Sequence, residues 1–375
     1  MTILQTIHAQ FTPKRAYAAR RWLALTALAT LAAALPGRAQ TGGTGAAAAP
    51  EPSWLTAVRA GTVHRARDGA AHAMGAMPSS AASLARSPRF IVRGWSGSDG
   101  GGGGGNAGAR PESLLLTDYL PPVRSQGQQG SCVAWSSAYY CYTYAVSKQR
   151  QLPAERIAAS SKLQFSPAFL YHLGNGGKDG GMTVSAAFQL LHDQGCASLE
   201  EMPYDAGDFT SAPGDTANEH AARFKARNVG LLFRLGEADP DRLKTYLAET
   251  RQPFVMSIPI LNDFPQKPVE PGFVYRPSEP PTRQNVMGLH AITIVGYDDS
   301  LHAFRMVNSW GPEWGDHGFL WLDESFVHAC AMDGCSIVAG GIVARDGAGG
   351  ALRVGPHVTL APPVLAPGIR ARSAR

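Results

Sequence analysis

The stretch Pro122 to Tyr144, PVRSQGQQGSCVAWSSAYYCYTY, limits this chain more than any other. Glycine and glutamine crowd the six residues before Cys132, which suits a tight loop. Behind it runs Val, Ala, Trp, Ser and Tyr with no Gly or Pro, which predicts a buried helix starting at the cysteine. A helix start offers unpaired N–H groups and the positive end of a dipole, and both favour a thiolate. Cys132 is therefore a candidate nucleophile. A core thiol on an apolar helix is the commoner fate of a lone cysteine, and placement alone does not separate the two.

The 375 residues suffice for one large domain or two halves sharing a cleft. The net charge of +5 belongs to the ends of the chain. Residues 1–112 carry 12 Lys/Arg against 4 Asp/Glu, and residues 346–375 carry 4 against 1, so residues 113–345 stand at −6. A folded part of that sign speaks against a nucleic-acid partner. Lys14, Arg15, Arg20 and Arg21 precede an uncharged apolar run, Trp22 to Leu35, and small residues flank a cleavage site after Ala39. That reads as an export signal over 1–39 with a periplasmic or extracellular destination. A run of 14 residues is too short for a comfortable membrane anchor. Export implies an oxidising compartment, where five cysteines leave one unpaired.

Residues 40–112 show no sustained periodicity, include an unbroken glycine run from Gly100 to Gly105, and read as a disordered leader. A disordered tail is expected over 346–375. Between them, Ser166-Pro167 and Asp239-Pro240 are helix starts, and MTVSAAFQLLHDQG is an amphipathic helix stopped by Gly195. Residues 203–219 read as a long surface loop. The period then changes: 254–260, 291–296, 304–307 and 319–322 are short β-rich runs, with a hairpin turn at 298–300. Helices first and strands second predict an α+β fold of two lobes.

Three further words complete the picture. Gln126 lies six residues before Cys132, His290 stands in GLHAITIVGYDD, and Asn308 in MVNSWGPEWGDHGFLWL. This order, over roughly Leu114 to Val343, resembles the papain-like (C1) cysteine peptidases. The resemblance implies a helical lobe with Cys132, an antiparallel β lobe with His290 and Asn308, and a peptidase domain over 113–345. It implies a thiolate on Cys132, general acid and base work by His290, and an orienting bond from the imidazole to Asn308. Gln126 would join the Cys132 backbone N–H as oxyanion donor. Trp310 would shield the His–Asn bond, and with Trp314 wall the leaving-group side.

Gly180-Gly181 matches the family's paired glycines, against which an extended substrate backbone lies. Met182, Val133 and Ala291 fall where the family lines its main pocket. All three are apolar, so a hydrophobic residue two before the scissile bond is expected. Gln129 stands where many relatives have a cysteine, so the bridge usual there is absent, and Cys330 and Cys335 are close enough in sequence to pair. No Cys/His pattern has zinc spacing, so neither metal nor cofactor is expected. The expected partners are protein or peptide substrates met by a monomer with no stable membrane anchor. A helical inhibitory leader is not evident, since the charged periodic pattern is missing. The alternative to an exported endopeptidase is a catalytically silent peptide-binding protein on the same fold.

Overall fold

The computed structural model describes residues 51–60, 72–92, 110–338 and 351–363. Its first elements fall in the leader that reads as structureless: α1 (Ser53–Arg59), β1 (Ala76–Met77), α2 (Ala81–Arg86) and β2 (Arg89–Val92). None is long enough to stand alone. Each is held by docking: α1 buries Trp54, Leu55 and Ala57, and β2 joins the main sheet. Partners far along the chain supply that stabilisation, which is why local pattern misses it. The glycine run itself, and the export segment 1–39, lie outside the described residues.

After β3 (Ser113–Leu115) comes the central helix: α3 (Cys132–Ala134), a π-helical stretch Trp135–Tyr142, and α4 (Thr143–Gln149). It is apolar all round because it is buried all round. Trp135, Tyr139 and Tyr140 pack into the core beneath the sheet, while Val133, Ala138 and Tyr142 pack into a second core among the helices.

The helical lobe continues with α5 (Ala154–Ala158), α6 (Pro167–Gly174), β4 (Met182–Thr183) and α7 (Val184–Asp193). Ser166 and Thr183 cap α6 and α7 by accepting from Phe169 and Ala186 N–H. The expected loop at 203–219 gives way to α8 (Asp215–Arg223), a helix whose buried face is only Ala217 and Ala221. Next come β5 (Val229–Arg234), not evident in the sequence, and α9 (Pro240–Thr250), capped by Asp239.

The β lobe is built from β6 (Phe254–Leu261), β7 (Val274–Tyr275), β8 (Val286–Asp298), β9 (Ala303–Val307) and β10 (Phe319–Asp323). It ends with α10 (Glu324–Cys330), β11 (Asp333–Ile337), β12 (Leu352–Arg353) and β13 (Val358–Ala361), the last two in the expected disordered tail. The strand order is β12-β13-β2-β5-β11-β6-β8-β9-β10-β7, with β3 on β8. The long β8 pairs antiparallel with β6, Ser257 opposite Ala291 and Ile258 opposite His290.

All five cysteines are free and buried. Cys330 and Cys335 do not pair, because the first packs in the core beneath the sheet and the second in the helical core. Among the described residues no helix is long and apolar enough to cross a membrane, and no group of His, Cys, Asp and Glu could hold a metal ion.

Candidate active site

Two lobes meet at the N-terminus of the central helix. Ser136 Oγ donates to Ala291 O (2.9 Å) and Thr293 Oγ1 donates to Ser136 O (3.0 Å), so β8 is stitched to the helix one turn beyond Cys132. The backbone N–H of Ala291 then points at Cys132 Sγ, 3.4 Å away, which places His290 beside the thiol. Tyr140 Oη donates to Asn308 O (2.9 Å), so the same helix also fixes the asparagine.

The hydrogen bonds assign the imidazole tautomer. Asn308 Oδ1 accepts from Ser309 N–H (2.8 Å), which marks it as the oxygen, and it sits 2.7 Å from His290 Nε2. His290 therefore carries its proton on Nε2, and buried Nδ1, with no other partner, keeps a free lone pair. Trp310 packs over the ring, centroids 4.5 Å apart, and Trp314 stands edge-on behind it at 5.3 Å. Gln126 is held by Ser309 Oγ, which donates to its Oε1 (2.6 Å), leaving Nε2 as a donor into the groove.

That groove is occupied by the leader. Gln126 Nε2 and Trp310 Nε1 both donate to Ala73 O, at 3.3 and 3.2 Å. The Gly75 N–H faces the Cys132 thiol, and Gly75 O accepts from Met182 N–H (3.0 Å). Ala76 and Met77 then run parallel to Met182 and Thr183. His72 stacks on Trp310 with rings 8° apart. The approach demands glycine on both sides: a Cβ on Gly181 would stand 2.1 Å from Gly75 O, and one on Gly75 would stand 1.8 Å from Gly130 O.

Burial shifts both the thiol and the imidazole towards their neutral forms. Burial pushes the Cys132 thiol up to about 11, against the pull of the Ala291, Gly75 and Val133 N–H groups. Burial also pulls His290 down to about 4, opposed by the Asn308 bond and aided by nearby His72. Both directions favour thiol and imidazole while the site is covered.

Of the residues singled out in the sequence, Cys132, Gln126, Trp310, Gly181 and Met182 meet the leader strand, while Ala291 lies against the thiol and Asn308 against His290. Gly180 lies in the turn before it, its N–H bonded to Lys178 O. Val133 is fully buried in the helical core, and the Trp314 indole donates to Pro265 O. Three positioning residues were not evident. Asp179 accepts from Gly130 N–H (2.8 Å) and from Tyr171 Oη, which in turn accepts from Gly181 N–H (3.2 Å). Ser309 orients Gln126, and only its place in NSWG hinted at a role. Gln129, where relatives carry a bridge, ties the loop at 205–208 to the helix start through three carbonyls.

Comparison with known proteins gives a consistent result. A family model described as papain family cysteine protease matches residues 112–339. The chain is 30% identical over 209 residues to gamete and mating-type specific protein A of Dictyostelium discoideum, covering 56% of this chain and 42% of that protein. It is 26% identical over 237 residues to a cathepsin L-like proteinase of Phaedon cochleariae, covering 60% and 64%. The match therefore spans less than two thirds of either relative. Xylellain, a cysteine protease from Xylella fastidiosa, superposes with a TM-score of 0.58 over 74% of this chain and 99% of that one, at 23% identity. A digestive procathepsin L2 proteinase of Tenebrio molitor gives 0.50 over 62% and 70%, at 22% identity. At those identities the likeness is one of fold.

Proposed function

The chain belongs to the papain family of cysteine proteases, and from that premise we propose that it is the leader-covered precursor of an exported thiol endopeptidase. One observation carries the reading: a peptide strand already lies between Met182 and the thiol, with its Ala73 carbonyl on the donors of Gln126 and Trp310. With the substrate's N-terminal side at Met182 and its leaving group at the tryptophans, this strand runs backwards. Its earlier residues, His72 and Ala73, sit at the tryptophans and its later ones at Met182, so no bond is presented for attack.

Once the strand leaves, water returns and His290 Nδ1 takes the thiol proton. The thiolate attacks the scissile carbonyl carbon, and the oxyanion is held by Gln126 Nε2 and the Cys132 N–H. His290 delivers the proton to the leaving amine and the C–N bond breaks. The imidazole then deprotonates water, which cleaves the thioester and restores the thiol. Gly180-Gly181 aligns the substrate backbone. The apolar walls Met182, Val133 and Ala291 favour a hydrophobic residue two before the cut, and Trp310 and Trp314 face the leaving side. Residues 113–345 are the peptidase domain and 1–39 the export signal.

The test is hydrolysis of a denatured protein by the full chain in reductant after incubation at pH 5 to release the leader, with an epoxide thiol inhibitor labelling Cys132. Folded protein that does neither is a silent peptide binder. Asn308→Ala is expected to lower kcat/KM on the order of 10²-fold, because it removes an orienting bond and no reacting group. A loss as large as that of the nucleophile, measured on the same substrate, overturns the role given to Asn308.

Leader release is expected to follow pH with a definite sign. His290 falls from 6.5 to about 4 when covered, and half-buried His72 is lowered too. His290 takes its proton from Cys132 on release and adds no net uptake, whereas His72 leaves with the strand, so its contribution to docking is lost as pH drops below the free imidazole value of about 6.5. Release accompanied by proton uptake at His72 should be more favourable at pH 5 than at pH 7. The labelling rate of Cys132 in the uncut chain, read against pH, checks this; a rate that falls on acidification contradicts it.

A further inference from the structure

The strand β2 carries the leader into the main sheet, and its two neighbours hold it unequally. Towards the peptidase domain it has one register pair, Arg89 with Leu231 on β5, beside a bond from Leu231 N–H to Pro88 O (2.8 Å). Towards β13 it has four: Val92 with Val358, Ile91 with Thr359, Phe90 with Leu360 and Arg89 with Ala361. The domain adds an ion pair from Arg89 to Glu237 and a bond from Arg234 to Leu84 O (3.3 Å). That ion pair lies partly in water and contributes little. The tail therefore grips β2 along more of its length than the domain does.

The grip is packed as well as hydrogen-bonded. Val358 and Phe90 are both buried in the core beneath the sheet, and Phe90 meets Tyr246 of α9 with ring centroids 5.4 Å apart. Gly230 on β5 makes room for both segments: a Cβ there would stand 2.5 Å from Leu360 Cδ1 and 3.0 Å from Phe90 Cε2. A strand of four residues with a neighbour on one side only opens readily, whereas β2 is enclosed on both. Its near end leads through α2 to residues 72–79, so whatever holds β2 also holds Gly75 against the thiol.

We propose that the β12–β13 hairpin is a latch on the leader, so that losing the hairpin uncovers Cys132 with the leader uncut. This rests on the leader-covered protease reading and adds to it a second control point, C-terminal to the catalytic residues.

The test reads the rate at which the epoxide inhibitor labels Cys132 at pH 7, with intact mass showing that the leader is uncut. One variant ends at residue 345. The other is Thr359→Pro. The backbone of Val358 is taken by the hairpin turn, at Gly355 O and Val354 N–H, so that of Thr359 faces β2. Proline there removes the N–H offered to β2 and leaves the buried Val358 side chain in place. Both variants should label on the order of tenfold faster or more than the unmodified chain. Thermal unfolding shows which are folded, and Thr359→Pro decides the matter if the shortened chain is not. Labelling that stays slow in the folded variants, while Gly75→Val accelerates it, overturns the latch and leaves the leader reading standing. An unmodified chain that labels as fast as Gly75→Val overturns both.

Discussion

Cys132→Ala is expected to reduce kcat/KM of the activated enzyme on the order of 10⁵-fold, since it removes the atom that forms the covalent intermediate. No other thiol substitutes for it. Cys141, Cys196 and Cys330 are buried, with thiols pushed up by desolvation, and Cys335 is raised further by buried Asp333. Only Cys132 has backbone N–H groups from Ala291, Gly75 and Val133 converging on its sulfur. The variant should fold normally, because alanine at a helix start costs little and the cavity left is one sulfur atom in size. It should also keep its leader, whose anchors are Gln126, Trp310 and Met182. Residual turnover within a hundredfold of the unmodified enzyme, in protein checked for reversion, would mean that another group attacks the substrate.

Gly75→Val is expected to act in the opposite direction. Its Cβ would stand 1.8 Å from Gly130 O, and that loop cannot retreat freely because Gly130 N–H is bonded to Asp179. An overlap of backbone atoms of this kind costs about 1–3 kcal/mol or more, enough to raise the undocked fraction on the order of 10²-fold. The uncut chain should then react with the epoxide inhibitor and hydrolyse peptide far faster at neutral pH than the unmodified chain does. Nothing in the peptidase domain changes, so kcat/KM per labelled site should stay the same. An unchanged labelling rate would show that the leader at 72–79 does not control access to the thiol.

The groups brought together at the helix start were legible because each sits in a short word with a physical reason: a loop before a helix start, a histidine entering a strand, an asparagine followed by Ser-Trp-Gly. Helix starts marked by Ser166-Pro167 and Asp239-Pro240 appear where the caps predict them. The leader was not legible for the opposite reason. Residues 72–79 are extended, carry no periodic apolar face, and are held mainly by backbone groups and by glycines on the opposing side. The tail hairpin shared that fate: β13 finds its partner β2 on the far side of the peptidase domain in sequence, and no local pattern announces that pairing. The strand β5 and the helix α8 were missed because tertiary contacts, rather than propensity, decide them.

The strand β2 is hydrogen-bonded between β13 and β5, and α2 joins it directly to the strand in the groove. The blocking peptide is therefore tethered, and its effective concentration at the groove is fixed by the tether, at roughly millimolar levels for short connections, however dilute the protein. Dilution alone leaves the strand in place. A nick on the tether turns the same contact into an ordinary bimolecular one, and the blocker then drifts off into whatever volume surrounds it.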